Sequence, residues 1–335
     1  MVKNKMKSNY ITVITGVTGQ DGSYLAELLL KFGYTVVGIT RRKSVNSGLE
    51  NLTNVINDPR FTLIEGDILD PSFIVNVVTK YKPADWYNLA AQSNVGHSFK
   101  EPSLTFEVNA NAVLIQLEAI RMFSPSTRYY QASTSELWGG LQCPKTGYNE
   151  SMGFHPRSPY GVSKLASYWT VVNYREAYGL FACNGILHNH SSLRRGIDFA
   201  TRKITHGVAK VKLGLADHVA MGDLSAFRDE GHSKDYVEAM WLMLTAEQPA
   251  DYVISTGRGA SIFQMFDFVC NLAGLRFEDV YRVDQRFMRP SEVPYLLGDS
   301  TLAKRELKWR PTYSWETLLE EMYLNDLKLL TSNNL

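Results

Sequence analysis

Cysteine is scarce in this chain of 335 residues: Cys143, Cys183 and Cys270 are odd in number, far apart and without a CxxC pair. That spacing excludes a disulfide framework and a zinc knuckle and fits a reducing compartment, so a cytoplasmic location is expected. Charge of one sign is lacking too. Thirty-five Lys and Arg oppose 34 Asp and Glu, a formal net charge of +1, which leaves no field over the whole chain to draw in a polyanion such as DNA. No nucleic-acid partner is therefore expected. No apolar run approaches the roughly 18 consecutive residues that span a bilayer, so no membrane partner is expected either. Residues 1–9 carry Lys3, Lys5 and Lys7 with no apolar signal core before Ile11, and read as a short disordered lead-in. The chain has no internal repeat, low-complexity run or proline-rich linker.

What it has is size and rhythm. With 44% hydrophobic residues it can bury a large core, yet it is near the length at which one core divides in two. From Tyr10 onward, short β-branched apolar runs alternate with longer stretches of helical period, the pattern of βαβ units around a parallel sheet. Strands are expected at 11–15, 35–40, 61–65, 84–89, 128–132 and 181–187, with helices at 23–32, 71–81, 104–122 and 159–178. After about residue 190 the rhythm loosens. Helices are expected at 199–210, 234–246, 261–273, 301–307 and 315–330, with a strand-like DYVIST at 251–256. The fold class is α/β, a Rossmann-type doubly wound parallel sheet over 10–190. A smaller C-terminal α/β substrate-binding lobe spans 191–335, with some chain returning to the sheet.

Between the first strand and the first helix stand Gly16, Gly19 and Gly22, in TGVTGQDG. Glycine allows the tight turn, lets backbone N–H groups approach a pyrophosphate, and lets helix and strand pack closely. The spacing G-x-x-G-x-x-G is the short-chain dehydrogenase variant of the dinucleotide fingerprint. Where enzymes that use NAD carry an acid for the ribose 2'-hydroxyl, the second strand here ends in Arg41 and Arg42, suited to a 2'-phosphate. NADP is the expected cofactor. Topology puts Asp67 near the adenine and the run from Leu89 through Ala90 and Ala91 to Gln92 under the cofactor.

Tyr160 and Lys164, in SPYGVSK, are four residues apart and share a helix face. A nearby ammonium favours the phenolate, which makes Tyr160 a base toward a sugar hydroxyl, and Lys164 can also hold the nicotinamide ribose. YYQASTSELWG supplies Thr134, whose hydroxyl can share a proton path, and Glu136, a carboxylate able to move a proton from carbon. A turn cap and a solvated acid would produce the same pattern. His188 and His190, in LHNH, lack a third ligand, so no metal is expected. Basic residues of the second half, among them Arg194, Arg195, Arg202, Lys203, Arg228 and Arg289, with Glu292, can converge on a diphosphate and a base.

Taken together, TGVTGQDGSYLAELLL, YNLAAQS, YQASTSELWG, RSPYGVSKLASYW, NGILHNH, TRKI and KDYVEAMWLML resemble the GDP-mannose 4,6-dehydratases, in order and over nearly the whole chain. The resemblance implies a catalytic set of Thr134, Glu136, Tyr160 and Lys164. It places Asn189, Lys203, Arg228, Arg289 and Glu292 on the GDP moiety and His190 against the nicotinamide end. Gln20, Asp21, Ile68, Ser93, Asn189 and Arg195 would line the cofactor, with Ser93, Thr134 and Glu136 touching substrate. A homo-oligomer is implied, tetramer or dimer, with the segment after the second strand reaching a neighbour's cofactor. Five positions depart from the family pattern. RDWGH becomes RDEGH at Glu230, a lysine before it becomes Phe227, NHESPRRG becomes NHSSLRRG, and Leu49 stands at an expected arginine. These bear on the sugar, and a GDP-heptose 4,6-dehydratase is the neighbouring reading. A sugar-nucleotide 4-epimerase or reductase would have no use for Glu136, and the complete set of Thr134, Tyr160 and Lys164 argues against a dinucleotide-sensing protein without catalysis.

Overall fold

The computed structural model describes residues 10–41, 48–288 and 290–332. The lead-in, Arg42 and Arg289 lie outside the described residues. Seven parallel strands form the main sheet: β1 (Ile11–Thr15), β2 (Thr35–Thr40), β3 (Phe61–Glu65), β4 (Asp85–Asn88), β5 (Arg128–Thr134), β6 (Ala182–Leu187) and β10 (Tyr252–Ile254). Their order, β10-β6-β5-β4-β1-β2-β3, turns back between β1 and β4, which makes that edge the switch point where such sheets take ligands.

Side-chain alternation divides the core. Val13, Trp86 and Tyr129 face one side, under α2 (Pro71–Tyr81), α5 (Ala112–Phe123) and α6 (Pro159–Tyr178); Ile14, Tyr87 and Tyr130 face the other. That second side is covered by α1 (Gln20–Lys31) and α8 (Ser233–Thr245), helices from opposite halves of the chain that pack on each other. The chain thus returns to the main sheet after residue 191, through α8 and β10.

A separate core forms where α7 (Ala200–Lys212), α9 (Ile262–Ala273) and α12 (Trp315–Ser332) bury Ile204, Val208, Phe266, Val269, Leu319 and Met322. Beside it, β9 (Phe227–His232) pairs with β7 (Asn189–Ser191), β11 (Gly259–Ser261) and β13 (Tyr295–Leu296), while β8 (Val219–Met221) pairs with β12 (Tyr281–Val283). The remaining helices are short: α3 (Val95–Ser98), α4 (Pro102–Phe106), α10 (Phe277–Val280) and α11 (Thr301–Glu306).

Three details differ from the sequence expectation. α1 starts at Gln20, so Gly22 lies inside its first turn. The helix expected over 104–122 is α4 and α5 joined by a π turn at Glu107–Asn111. The strands β7, β8, β9, β11, β12 and β13 carry no alternating pattern; β9 reads FRDEGH, and only its pairing partners make it a strand. Among the described residues no helix is long and apolar enough to cross a membrane.

Candidate active site

The glycine turn closes against the end of β4. Gly16 has φ +70°, and a Cβ there would lie 2.8 Å from the Ala90 backbone nitrogen; a Cβ on Gly22 would lie 2.4 Å from the Gly16 carbonyl oxygen. Thr15 Oγ1 locks the same junction, donating to Asn88 Oδ1 at 2.7 Å and accepting from the Leu89 and Ala90 N–H groups at 3.1 Å. No side chain caps α1, whose N-cap is Gly19. A bare N-terminus on a twelve-residue helix, in a turn too tight for any Cβ, fits a dinucleotide pyrophosphate. Arg41 is exposed just past β2, Asp67 is exposed with Oδ1 accepting from the Leu69 N–H, Ile68 is buried, and Ala91 and Ser93 border the opening.

The side chains of Gln20 and Asp21 are engaged within the chain. Gln20 accepts from Ser192 Oγ at 2.8 Å and donates to the His190 carbonyl at 3.3 Å. Asp21 Oδ2 meets His190 Nε2 at 2.9 Å. Burial pushes the Asp21 carboxyl up, but the His190 charge and hydrogen bond outweigh it and leave it below its ordinary value. His190 is shifted upward against its own burial by the same pair, and it stacks on Tyr236 with ring centroids 4.3 Å apart. His188 goes elsewhere: it is buried against Trp138, and burial followed by the Arg228 charge pushes it down to about 3. The two histidines of LHNH therefore share no ligand site, and among the described residues no three His, Cys, Asp or Glu groups gather as a metal centre.

β5 and α6 bring the proton-moving groups together. Thr134 ends β5 and caps the following turn, Ser135–Trp138, by accepting from the Glu136 N–H at 3.2 Å. α6 starts where Ser158 Oγ accepts from the Gly161 N–H at 3.0 Å with Pro159 in the first turn, a cap worth about 1 kcal/mol. A Cβ on Gly161 would stand 3.1 Å from the Glu136 carbonyl oxygen, so this glycine lets the helix close against the Glu136 turn. Thr134, Glu136, Tyr160 and Lys164 are each less than a tenth exposed.

Burial moves the proton affinities of the two α6 residues in opposite directions. Burial pushes Tyr160 up to about 12 and the Glu136 charge adds to this, while a hydrogen bond with Thr134 and the Arg195 charge pull the other way. Burial pushes Lys164 down to about 8. Lys164 Nζ donates to the Ala132 carbonyl at 2.8 Å and lies 6.0 Å from the Tyr160 ring centroid.

On the second lobe, Arg228 and Glu292 bind each other at 2.8 Å, and Arg228 also donates to the Val293 carbonyl at 2.8 Å and to that of Phe227. In the protein alone these contacts join residues 292–293 to β9. Lys203 stands over the Phe287 ring, beside Asp284 and Arg286, on the stretch leading to Arg289. Asn189 is half-buried at the start of β7, opposite Glu230 in the strand register. Sequence reasoning assigned no role to Ser191 or Glu230; their only signal was departure from the family pattern, and they touch.

The family model described as GDP-mannose 4,6 dehydratase matches residues 13–322. A GDP-mannose 4,6 dehydratase of Arabidopsis thaliana is 45% identical over 95% of this chain and 87% of its own length. One from Vibrio cholerae is 44% identical, covering 95% and 94%, and the Homo sapiens enzyme is 43% identical, covering 98% and 94%. Among solved structures, a UDP-glucose 4-epimerase of Thermotoga maritima superposes with TM-score 0.83 at 25% identity, over 96% of this chain and 99% of that one. A dTDP-glucose 4,6-dehydratase of Streptomyces venezuelae gives 0.84 at 21%, over 96% and 98%, and shares the fold. With the match running from β1 into α12, this chain belongs to the GDP-mannose 4,6-dehydratase family.

Proposed function

We infer that the protein is a GDP-mannose 4,6-dehydratase, converting GDP-D-mannose to GDP-4-dehydro-6-deoxy-D-mannose and water. The observation that carries this is the meeting of Thr134, Glu136 and Tyr160 at the end of β5, beyond a glycine turn shaped for a dinucleotide. NADP supplies, when bound, a reversible acceptor for the hydride that leaves C4 and returns to C6. Gly16, Gly19 and Gly22 would hold its pyrophosphate, Arg41 its 2'-phosphate, and Lys164 its nicotinamide ribose. Tyr160 takes the C4 hydroxyl proton, with Thr134 hydrogen-bonded to it. The resulting ketone acidifies C5. Glu136 then removes the C5 proton and passes it to the C6 hydroxyl, which departs as water when the C6–O bond breaks, and C5 takes a proton from solvent once C6 has its hydride. No net redox change results. Asn189 and Lys203 face the GDP moiety, behind which the Arg228–Glu292 latch fixes the wall.

Purified protein given several GDP-sugars should remove about 18 Da from GDP-mannose and yield a 4-keto product. Loss of mass only from GDP-D-glycero-D-manno-heptose would favour the second reading, which Glu230 and Phe227 support by their departure from the family pattern. A 4-epimer without mass loss would reject both. A second copy of the chain is the proposed partner. Leu104, Phe106, Leu114, Val162 and Trp169 are exposed on the packed helices α4, α5 and α6, an apolar face suited to self-association. A cytoplasmic location agrees with the free thiols of Cys143, Cys183 and Cys270.

A further inference from the structure

From β7 into the turn after it, side chains reach alternately to the two halves of the molecule. On one side, Ser191 Oγ donates to Glu230 Oε1 at 2.5 Å and lies 2.7 Å from Thr201 Oγ1 in the first turn of α7, while Leu193 packs against the core of α7, α9 and α12. On the other side, His190, Ser192 and Arg194 each meet α1. His190 Nε2 lies 2.9 Å from Asp21 Oδ2, and Ser192 Oγ donates to Gln20 Oε1 at 2.8 Å. Arg194 reaches furthest along the helix. Its Nη1 donates to Ser23 Oγ at 3.0 Å, its Nη2 pairs with Glu27 Oε1 at 2.5 Å, and its guanidinium carbon lies 3.9 Å from the Tyr24 ring centroid. The Arg194 backbone N–H donates to Ser192 Oγ at 3.1 Å, so the Ser192 and Arg194 contacts with α1 are joined.

Gln20, Ser23, Tyr24 and Glu27 stand at i, i+3, i+4 and i+7, one face of α1 over two turns. Ser23 Oγ, held by Arg194, donates in turn to the Gln20 carbonyl at 2.9 Å, and the Ser23 N–H donates to the Gly19 carbonyl at 3.1 Å. The grip on the helix thus passes back to its first turn and its N-cap. That end needs holding from outside. Gly16, Gly19 and Gly22 bring no side chains to pack, and glycine confines its own backbone least, so the turn alone does not fix where the N–H groups of α1 aim. A guanidinium engaged at two nitrogens and across one face is a stiff brace, and the charge that the sequence offers to a diphosphate at Arg194 is taken up by Glu27.

We propose that Arg194 is a positioning residue for the cofactor: by bridging Ser23, Tyr24 and Glu27 it holds α1 so that the helix N-terminus faces the dinucleotide pyrophosphate. This rests on the glycine turn as the pyrophosphate site, so calorimetry first measures NADP+ binding to the unmodified full-length protein, without turnover. Failure to bind would reject that reading and overturn the proposal with it; unchanged binding in the variants overturns the proposal alone. Arg194→Ala should raise the NADP+ Kd roughly tenfold and leave the Kd of GDP unchanged. Arg194→Lys keeps a charge beside Glu27 without holding Ser23 as well, and should recover part of the loss. Glu27→Gln should raise the NADP+ Kd by less than Arg194→Ala does, and the double Arg194→Ala/Glu27→Gln variant should raise it no further than Arg194→Ala alone. Equal rises for NADP+ and GDP, a rise for GDP alone, or losses that add in the double variant overturn the proposal. So does tighter NADP+ binding by Glu27→Gln, the outcome if the guanidinium touched the phosphates itself and Glu27 competed for it. Should Arg194→Ala fail to fold by circular dichroism, Glu27→Gln decides: a raised NADP+ Kd with an unchanged GDP Kd supports the proposal, and any other result overturns it.

Discussion

The two walls of the cleft hold charge in opposite ways. On the β5 and α6 side, Tyr160 and Lys164 are buried, and burial moves their proton affinities apart, the tyrosine up to about 12 and the lysine down to about 8. On the β7 and β9 side the ionisable groups have partners: Asp21 with His190, Arg228 with Glu292, and Glu230 with the Ser191 hydroxyl. The first side isolates its ionisable groups by burial and the second fixes charges in pairs. On the function proposed above, the first would carry the chemistry and the second would hold the ligands.

The contrast would break most visibly at Glu136. Glu136→Gln should retain GDP-sugar binding yet lose roughly 10²- to 10⁴-fold in dehydration rate, since an amide neither takes the C5 proton nor assists the departing oxygen. In heavy water the unmodified protein should place one deuterium at C5, and the variant none. Near-normal dehydration by the variant would remove the division between the walls.

The matched wall should fail in stability. Arg228→Ala removes the guanidinium from Glu292 and the donor from the Val293 and Phe227 carbonyls, at a cost of about 3 kcal/mol, read as a lowered urea midpoint. A raised KM with an unchanged midpoint would instead make Arg228 a ligand contact.

Between the walls, His188 sharpens the comparison through pH. Its folded-state pKa, about 3, lies below the ordinary value of 6.5, so its share of stability is complete above 6.5 and declines as pH falls toward 3. From neutral pH to about pH 5 the loss is about 2 kcal/mol, and His188→Leu should not show it. Asp229, raised by burial to about 6, acts in the opposite direction but is common to both proteins, so the difference between them isolates His188. A parallel decline in both would show that His188 does not stay neutral.

The smallest effect lies at the cofactor end. Arg41→Ser should weaken NADP binding roughly tenfold, about 1.5 kcal/mol, and leave NAD binding nearly unchanged. Equal loss of both would mean that Arg41 does not read the 2'-phosphate.

What the sequence made legible was whatever neighbouring residues decide. Gly16, Gly19 and Gly22 announce a turn because sterics act over a few bonds, and Ser158 and Pro159 announce α6 because a cap is a local contact. The six parallel strands up to Leu187 follow from apolar runs that both faces of the sheet bury. What stayed hidden depends on distant partners. Asp21 finds His190 169 residues away and Arg228 finds Glu292 64 residues away, so charges that look available for a ligand are already paired. The FRDEGH stretch hides its strand for the same reason: its neighbours in the small sheet come from three other parts of the chain. The spacing of Tyr160 and Lys164 reports which face the side chains take and says nothing of the water that Lys164 loses on burial.

The placement of α8 and β10 bears on how the protein is made. Synthesis reaches both the glycine turn and the catalytic helix before residue 190, yet half the cover over Ile14, Tyr87 and Tyr130 and the strand bordering β6 come from residues 233–254. A nascent chain emerging from the ribosome therefore carries its reactive groups before it carries the shield for its own sheet. Over that interval the naked edge of β6 and the apolar face beside it are what a chaperone, or another unfinished copy, would meet.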